Sequence, residues 1–313
     1  MKLNAEQIKN IGNNISRYFK KECSVAERMC LCTDELASHI AELLAKDVKK
    51  NGFFTEDSPL GAYLPPVFED ESFLSDIADE NAPCSNEKFA AVHSAYVADL
   101  CNKIAAKLKV HAKIKATPVL FASNRKIKEA VGRVAFSESH VLTNAFEQFR
   151  KSNKMLSPSY VRSFSDACED VSSGVSEWCI LPIENNREGA LISVYNLIER
   201  FELFISQVCS INNEELTTKF ALLCSGVHGI IEIHGKQNVV LRMSVHDSVT
   251  WSRIFAGASL IGASLVKTVA LPLGYTDGYA HICTFFGEGE DLFAFLLFLS
   301  TMRISFTLMG AYE

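Results

Sequence analysis

Cys179-Ile180-Leu181-Pro182-Ile183 is an apolar run, short enough for a strand buried on both faces and too short for a core helix. A polar loop, Glu184-Asn185-Asn186-Arg187-Glu188, follows it, and Gly189 to Phe201 then reads as a helix. Outward from this unit the same alternation continues. Upstream, Val134-Ala135-Phe136 is a short strand, and Leu142–Phe149 and Phe164–Val171 are helices. Downstream, Phe204–Val208, Phe220–Leu223 and Ile230–Ile233 are strands. Strands alternating with helices predict an α/β layer with a mostly parallel sheet over residues 133–235.

Residues 236–313 change rhythm. Val239–Val245 reads as a strand, Trp251–Ile261 as a helix, Leu265–Leu273 and Tyr279–Phe286 as strands. Leu292–Met302 is then a helix and Ile304–Met309 a strand. This β-α-β-β-α-β order is the ferredoxin-like split motif, which serves small-ligand sensing or dimerisation without proving either. Residues 1–115 instead read as helical. Ile8, Ile11, Ile15 and Phe19 form one apolar stripe, and Leu36, Ile40, Leu43, Leu44 and Val48 form another. An irregular stretch, 53–68, holds Pro59, Gly61, Pro65 and Pro66, and segments 70–80 and 86–109 return to helix. Residues 116–132, with Arg125, Lys126 and Lys128, form a basic linker.

The 313 residues, 48% hydrophobic and 22% charged, describe a folded globular chain rather than a disordered one. A net charge of −6 argues against nucleic acid as partner. Leu292–Leu299 is too short to span a bilayer, so no membrane association is expected. The polar start Met1-Lys2-Leu3-Asn4 does not read as a secretory signal, and a cytoplasmic location is expected. Ten cysteines contain no CxxC pair, and Cys30-x-Cys32 lacks a second pair at zinc spacing. Reduced, packed thiols and no metal or other cofactor are the expectation.

Ile180-Leu181-Pro182-Ile183-Glu184-Asn185-Asn186-Arg187-Glu188-Gly189-Ala190-Leu191 resembles the strand–loop–helix signature of prephenate dehydratases. Thr217-Thr218-Lys219-Phe220 is similar to that family's Thr-Arg-Phe motif, and the end, Met309-Gly310-Ala311-Tyr312, resembles the close of the ACT domain that follows it. The helical N-terminal zone is similar to the mutase domain of bifunctional chorismate mutase–prephenate dehydratases. The resemblance implies three modules. They are a chorismate-mutase-like helical domain (1–115), one α/β lobe of the periplasmic-binding-protein-like dehydratase fold (133–235) and a ferredoxin-like ACT domain (236–313). It also implies Thr218 as the catalytic residue, with Glu184, Asn185, Asn186, Glu188 and Lys219 binding substrate. Thr250, Trp251, Leu271 and Pro272 stand where the family binds its effector.

The residues depart from this pattern. Where the mutase needs cations for a dicarboxylate, the chain has Ala5, Glu22 and Thr33, and Ile104 stands in place of a polar glutamine. Only Asn212-Asn213-Glu214-Glu215-Leu216 separates Ile211 from Thr217, where the family inserts its second lobe. Lys219 replaces a bidentate arginine with a point charge. The effector motifs read Val249-Thr250-Trp251 and Val269-Ala270-Leu271-Pro272. Each residue also has a structural reading: Thr218 as strand-end pairing, and Glu184, Asn185 and Asn186 as loop ties. The expectation is a homodimeric pseudoenzyme that binds a small dicarboxylate or aromatic amino acid. Two alternatives stay open: an active prephenate dehydratase completed by another segment or subunit, and a ligand-free assembly module.

Overall fold

The computed structural model describes residues 86–111 and 130–312, apart from 214–215, 226–234, 273–277 and 303, together with Asp34, Ala37, Ser38, Ile40, Ala41 and Glu42. The readings of Ile8–Phe19, of 53–68 and 70–80, and of Ile230–Ile233 lie outside the described residues.

In chain order the elements are α1 (Asn86–His111), β1 (Gly132–Ser137), α2 (His140–Ser152), β2 (Leu156–Val161) and α3 (Phe164–Ser172). They continue with β3 (Trp178–Asn185), β4 (Gly189–Ala190), α4 (Ile192–Arg200), β5 (Leu203–Asn213) and β6 (Leu216–Ser225). The last are β7 (Lys236–Met243), α5 (Ser248–Ile261), β8 (Ser264–Pro272), β9 (Tyr279–Glu288), α6 (Gly289–Thr301) and β10 (Phe306–Tyr312). Side-chain oxygens of Ser139, Ser163 and Asp247 accept from the second or third amide of α2, α3 and α5, satisfying donors the helices leave open. Gly262 at φ +100° ends α5 in the left-handed conformation that glycine adopts without strain.

The strands form one sheet in the order β2-β1-β3-β6-β5-β10-β7-β9-β8, with β4 beside β3. Only β1–β2, β1–β3 and β5–β10 are parallel, and the other pairings are antiparallel. The expected mostly parallel sheet is therefore corrected to a mixed one. The reason is chain length: Asn213 pairs with Leu216 across two residues, room for a hairpin and not for a crossover. β2 escaped the sequence reading because Leu156-Ser157-Pro158-Ser159-Tyr160-Val161 is polar and contains proline. A proline is tolerated there because β2 is an edge.

The C-terminal strands run β10-β7-β9-β8, the order of a split β-α-β-β-α-β unit. The two halves of the sheet meet at the parallel pair Gly310↔Ile205. A Cβ on Gly310 would sit 2.7 Å from the Ile205 Cβ and 2.9 Å from its carbonyl oxygen, so only glycine lets these backbones approach.

Helices α3 and α4 cover one sheet face, while α2, α5 and α6 cover the other. α1 lies outside α5 and α6 and packs on both, through Tyr96, Val97, Leu100, Cys101 and Ile104. This third layer explains α6, whose residues Leu292 to Leu299 are all buried. A helix apolar on every side is stable in water only when covered all round. Among the described residues no helix is long and apolar enough to cross a membrane.

Candidate functional site

The end of β3 faces the start of β6, with Glu184 opposite Lys219 and Asn185 opposite Thr218. Asn185 Oδ1 accepts from the backbone amides of Arg187 (2.9 Å) and Glu188 (2.6 Å), closing the loop on itself. Asn186 Oδ1 accepts from Thr217 N at 3.1 Å, and Asn186 N donates to Thr217 O at 3.1 Å. Glu188 is exposed on the loop. Both asparagines thus tie backbone to backbone. Thr218 is buried at 8% exposure between Asn185 and Ile211.

Glu184 is the centre of an ionic cluster. Its Oε2 accepts from Lys219 Nζ at 3.5 Å and from Lys267 Nζ at 2.8 Å. Lys267 arrives from β8, in the C-terminal half, and its Nζ lies 5.7 Å from the Tyr195 ring centroid. Burial raises the Glu184 carboxyl, but the hydrogen bond and charge of Lys267, with Lys219 behind it, outweigh that and hold it below its ordinary value. The Tyr195 and Tyr312 hydroxyls are pushed up by burial, and the Glu184 charge adds to this. A second pair, Arg242 Nε to Glu199 Oε1 at 2.7 Å, crosses the same seam between β7 and α4. Sequence reasoning found Glu184, Asn185, Thr218 and Lys219 together but missed Lys267, which no local motif links to Glu184 across 83 positions.

A separate open pocket of about 310 Å³ lies between the β7–α5 and α6–β10 connections. Thr250, His246, Asp247 and Arg253 line one side, and Met302 and Ile304 the other. Asp247 Oδ1 is the α5 cap, accepting from Thr250 N at 2.7 Å. Of the four residues placed at the effector motifs, only Thr250 lines this pocket. Trp251 stacks on Phe255 (5.5 Å between centroids) and meets His281 edge-on (5.0 Å). Burial, with His246 nearby, pushes the His281 ring below its ordinary value. Leu271 is core on the opposite face of the sheet, and Pro272 is exposed at the end of β8. Arg253 was not singled out, although its spacing from Thr250 puts the two on one helix face.

No family model matches the chain. A curated bifunctional chorismate mutase/prephenate dehydratase from Buchnera aphidicola subsp. Baizongia pistaciae is 36% identical over 69 residues. The chain resembles the bifunctional chorismate mutase/prephenate dehydratases. The match spans 22% of this chain and 18% of that relative's length. Among solved structures, prephenate dehydratase from Streptococcus mutans covers 57% of this chain and 97% of its own, at 18% identity and TM-score 0.48. The Arthrobacter aurescens prephenate dehydratase in complex with L-Phe covers 58% and 90%, at 13% identity and TM-score 0.44. GqqA, a quorum quenching acylase, covers 58% and 94%, at 15% identity and TM-score 0.46. Likeness at that level says nothing of what this chain does.

Six cysteines among the described residues are free thiols. Burial pushes Cys101 and Cys224 up to about 12, so neither is a thiolate near neutral pH. Among the described residues no cluster of three or more His, Cys, Asp or Glu is placed to hold a metal ion.

Proposed function

We propose that this chain is a ligand-binding or regulatory relative of the bifunctional chorismate mutase–prephenate dehydratases with little or no turnover of its own. In this reading residues 1–115 are a mutase-like domain, 116–132 a linker, 133–235 a single dehydratase-like lobe and 236–313 an ACT-like module. The protein works as a cytoplasmic homodimer without a cofactor, and its ligand is a small dicarboxylate or an aromatic amino acid.

The observation that carries the reading is the β5–β6 hairpin. It is paired from Leu203↔Ser225 to Asn213↔Leu216, so two residues stand where a second lobe would be inserted. A dehydratase needs a second wall to exclude water while carbon dioxide and water leave prephenate. Two further facts support it. Glu184 is neutralised by the protein's own Lys267 and Lys219. Ile104, where the mutase pattern has a polar residue, is fully buried in the packing of α1 against the C-terminal helices.

The test is direct. Full-length protein is incubated with prephenate and, separately, with chorismate, following phenylpyruvate formation and chorismate consumption. No turnover above the uncatalysed rate is expected, and robust turnover of either overturns the reading. One observation favours an active dehydratase instead: Lys219 reaches Glu184, and the next position of the same strand, Thr218, stands opposite Asn185. Under that reading Thr218→Val abolishes phenylpyruvate formation while leaving the unfolding midpoint in place. A ligand-free assembly module predicts no thermal shift with phenylalanine, tyrosine, prephenate or chorismate.

A further inference from the structure

The pocket between the β7–α5 and α6–β10 connections is lined by a partly buried cation, Arg253. Arg253 Nε is buried and has no hydrogen-bond partner, and no described acidic residue pairs with the guanidinium. Buried polar groups are almost always satisfied, because an unpaired donor gives up water for nothing. The one carboxylate on the wall, Asp247, is committed through Oδ1 to the amide of Thr250. His246 stands exposed at the rim. His281 lies behind Trp251, its ring held below its ordinary value by burial first and by His246 second. The hydroxyls of Thr250 and Ser305 supply neutral polar contacts, and Met302 and Ile304 an apolar wall.

We propose that this pocket binds a small organic carboxylate with a compact apolar body, its carboxylate on Arg253 and its body against Met302 and Ile304. A guanidinium offers two parallel donors in the geometry a carboxylate accepts, which a neutral amide cannot match. The volume of about 310 Å³ lies at the small end of ligand sites, which run from roughly 300 to 1,000 Å³. The proposal rests on the ligand-binding reading above and names the ligand class of one site. It is independent of whether the Glu184 cluster turns over substrate.

Calorimetric titration of the full chain at low ionic strength tests it, with 3-phenylpropanoate as probe and 3-phenylpropanamide as neutral isostere. The acid is expected to bind at least about tenfold more tightly than the amide, and Arg253→Gln to lose at least about tenfold in affinity for the acid. Arg253→Lys falls between the two, keeping charge without the fork. In protein labelled with ¹⁵N-arginine, one Nε–Hε resonance absent from R253K shifts on titration with the acid. Should Arg253→Gln unfold the chain, Ser305→Asp at an exposed position places a repelling carboxylate by the pocket and abolishes binding with Arg253 intact. Equal affinity for acid and amide, full affinity in folded R253Q, or no binding of 3-phenylpropanoate by the wild type each overturns the proposal. Those outcomes leave the non-catalytic reading standing, whereas turnover of prephenate removes that reading and leaves the pocket untouched.

Discussion

Two charged sites sit on one sheet and treat their charge in opposite ways. At the seam, Glu184 is answered by Lys267 and Lys219. In the C-terminal pocket, Arg253 Nε has no hydrogen-bond partner among the described residues. A charge satisfied within the protein stabilises the fold but makes an incoming ligand compete with an existing partner. An unsatisfied one costs stability and is open to a ligand. The seam therefore holds the two halves together, and the pocket is the place proposed to receive a carboxylate. Conservation of fold around the seam would not by itself make it an active site.

The largest expected effect comes from the layer that covers the C-terminal half. Ile104→Ala on α1 empties a fully buried position and is expected to cost about 2–5 kcal/mol, read as a shift in the urea midpoint. Because α1 packs on α5 and α6, the loss appears in one cooperative transition. An early transition confined to α1, with the rest of the protein unmoved, would show the helix to be an independent appendage. Next comes Gly310→Ala, which drives a methyl into Ile205 at the join of β10 and β5 and is expected to cost about 1–3 kcal/mol. A neutral result would mean that the halves are not held by close backbone approach.

Smaller effects sharpen the seam itself. Glu184→Gln keeps the shape and removes the charge that Lys267 answers, with an expected loss of about 1 kcal/mol at neutral pH. Lys219→Ala, at a half-exposed position and a longer 3.5 Å, should stay within about 0.5 kcal/mol of wild type. If the two lysines prove equal, the seam does not depend on the contact from β8. The pH dependence follows in sign. Glu184 is held below its ordinary value in the fold, so the unfolded chain binds the proton more readily. Its contribution is present above the unfolded pKa and fades as pH falls through the lower folded value. The gap in unfolding midpoint between wild type and E184Q should thus narrow on going from neutral pH to about pH 3. A gap that widens in acid would reverse the assignment.

Local pattern made much of this legible. The alternation in 236–313 yields the split β-α-β-β-α-β unit because each element is written in contiguous residues, by period and cap. The tight link from Ile211 to Thr217 was read as leaving no room for a second lobe, since chain length alone limits what five residues can enclose, and the structure closes it as a hairpin. The asparagines of the loop close on neighbouring amides, as short polar side chains do. By contrast, the mostly parallel sheet was misread, because strand direction depends on which strands meet and not on their spelling. β2 was missed because an edge strand need not be apolar. Asp247 caps α5, a role its place before Ser248 writes locally.

What the chain settled alone is therefore most of the elements and a link from Ile211 to Thr217 too short for a second lobe. Only the tertiary structure decided that α1 covers α6, that Lys267 answers Glu184 from 83 residues away and that Arg253 Nε has no hydrogen-bond partner among the described residues. The physical reason is range. Periodicity, caps and turns act within a few residues, while burial and the pairing of charge depend on what the fold brings near.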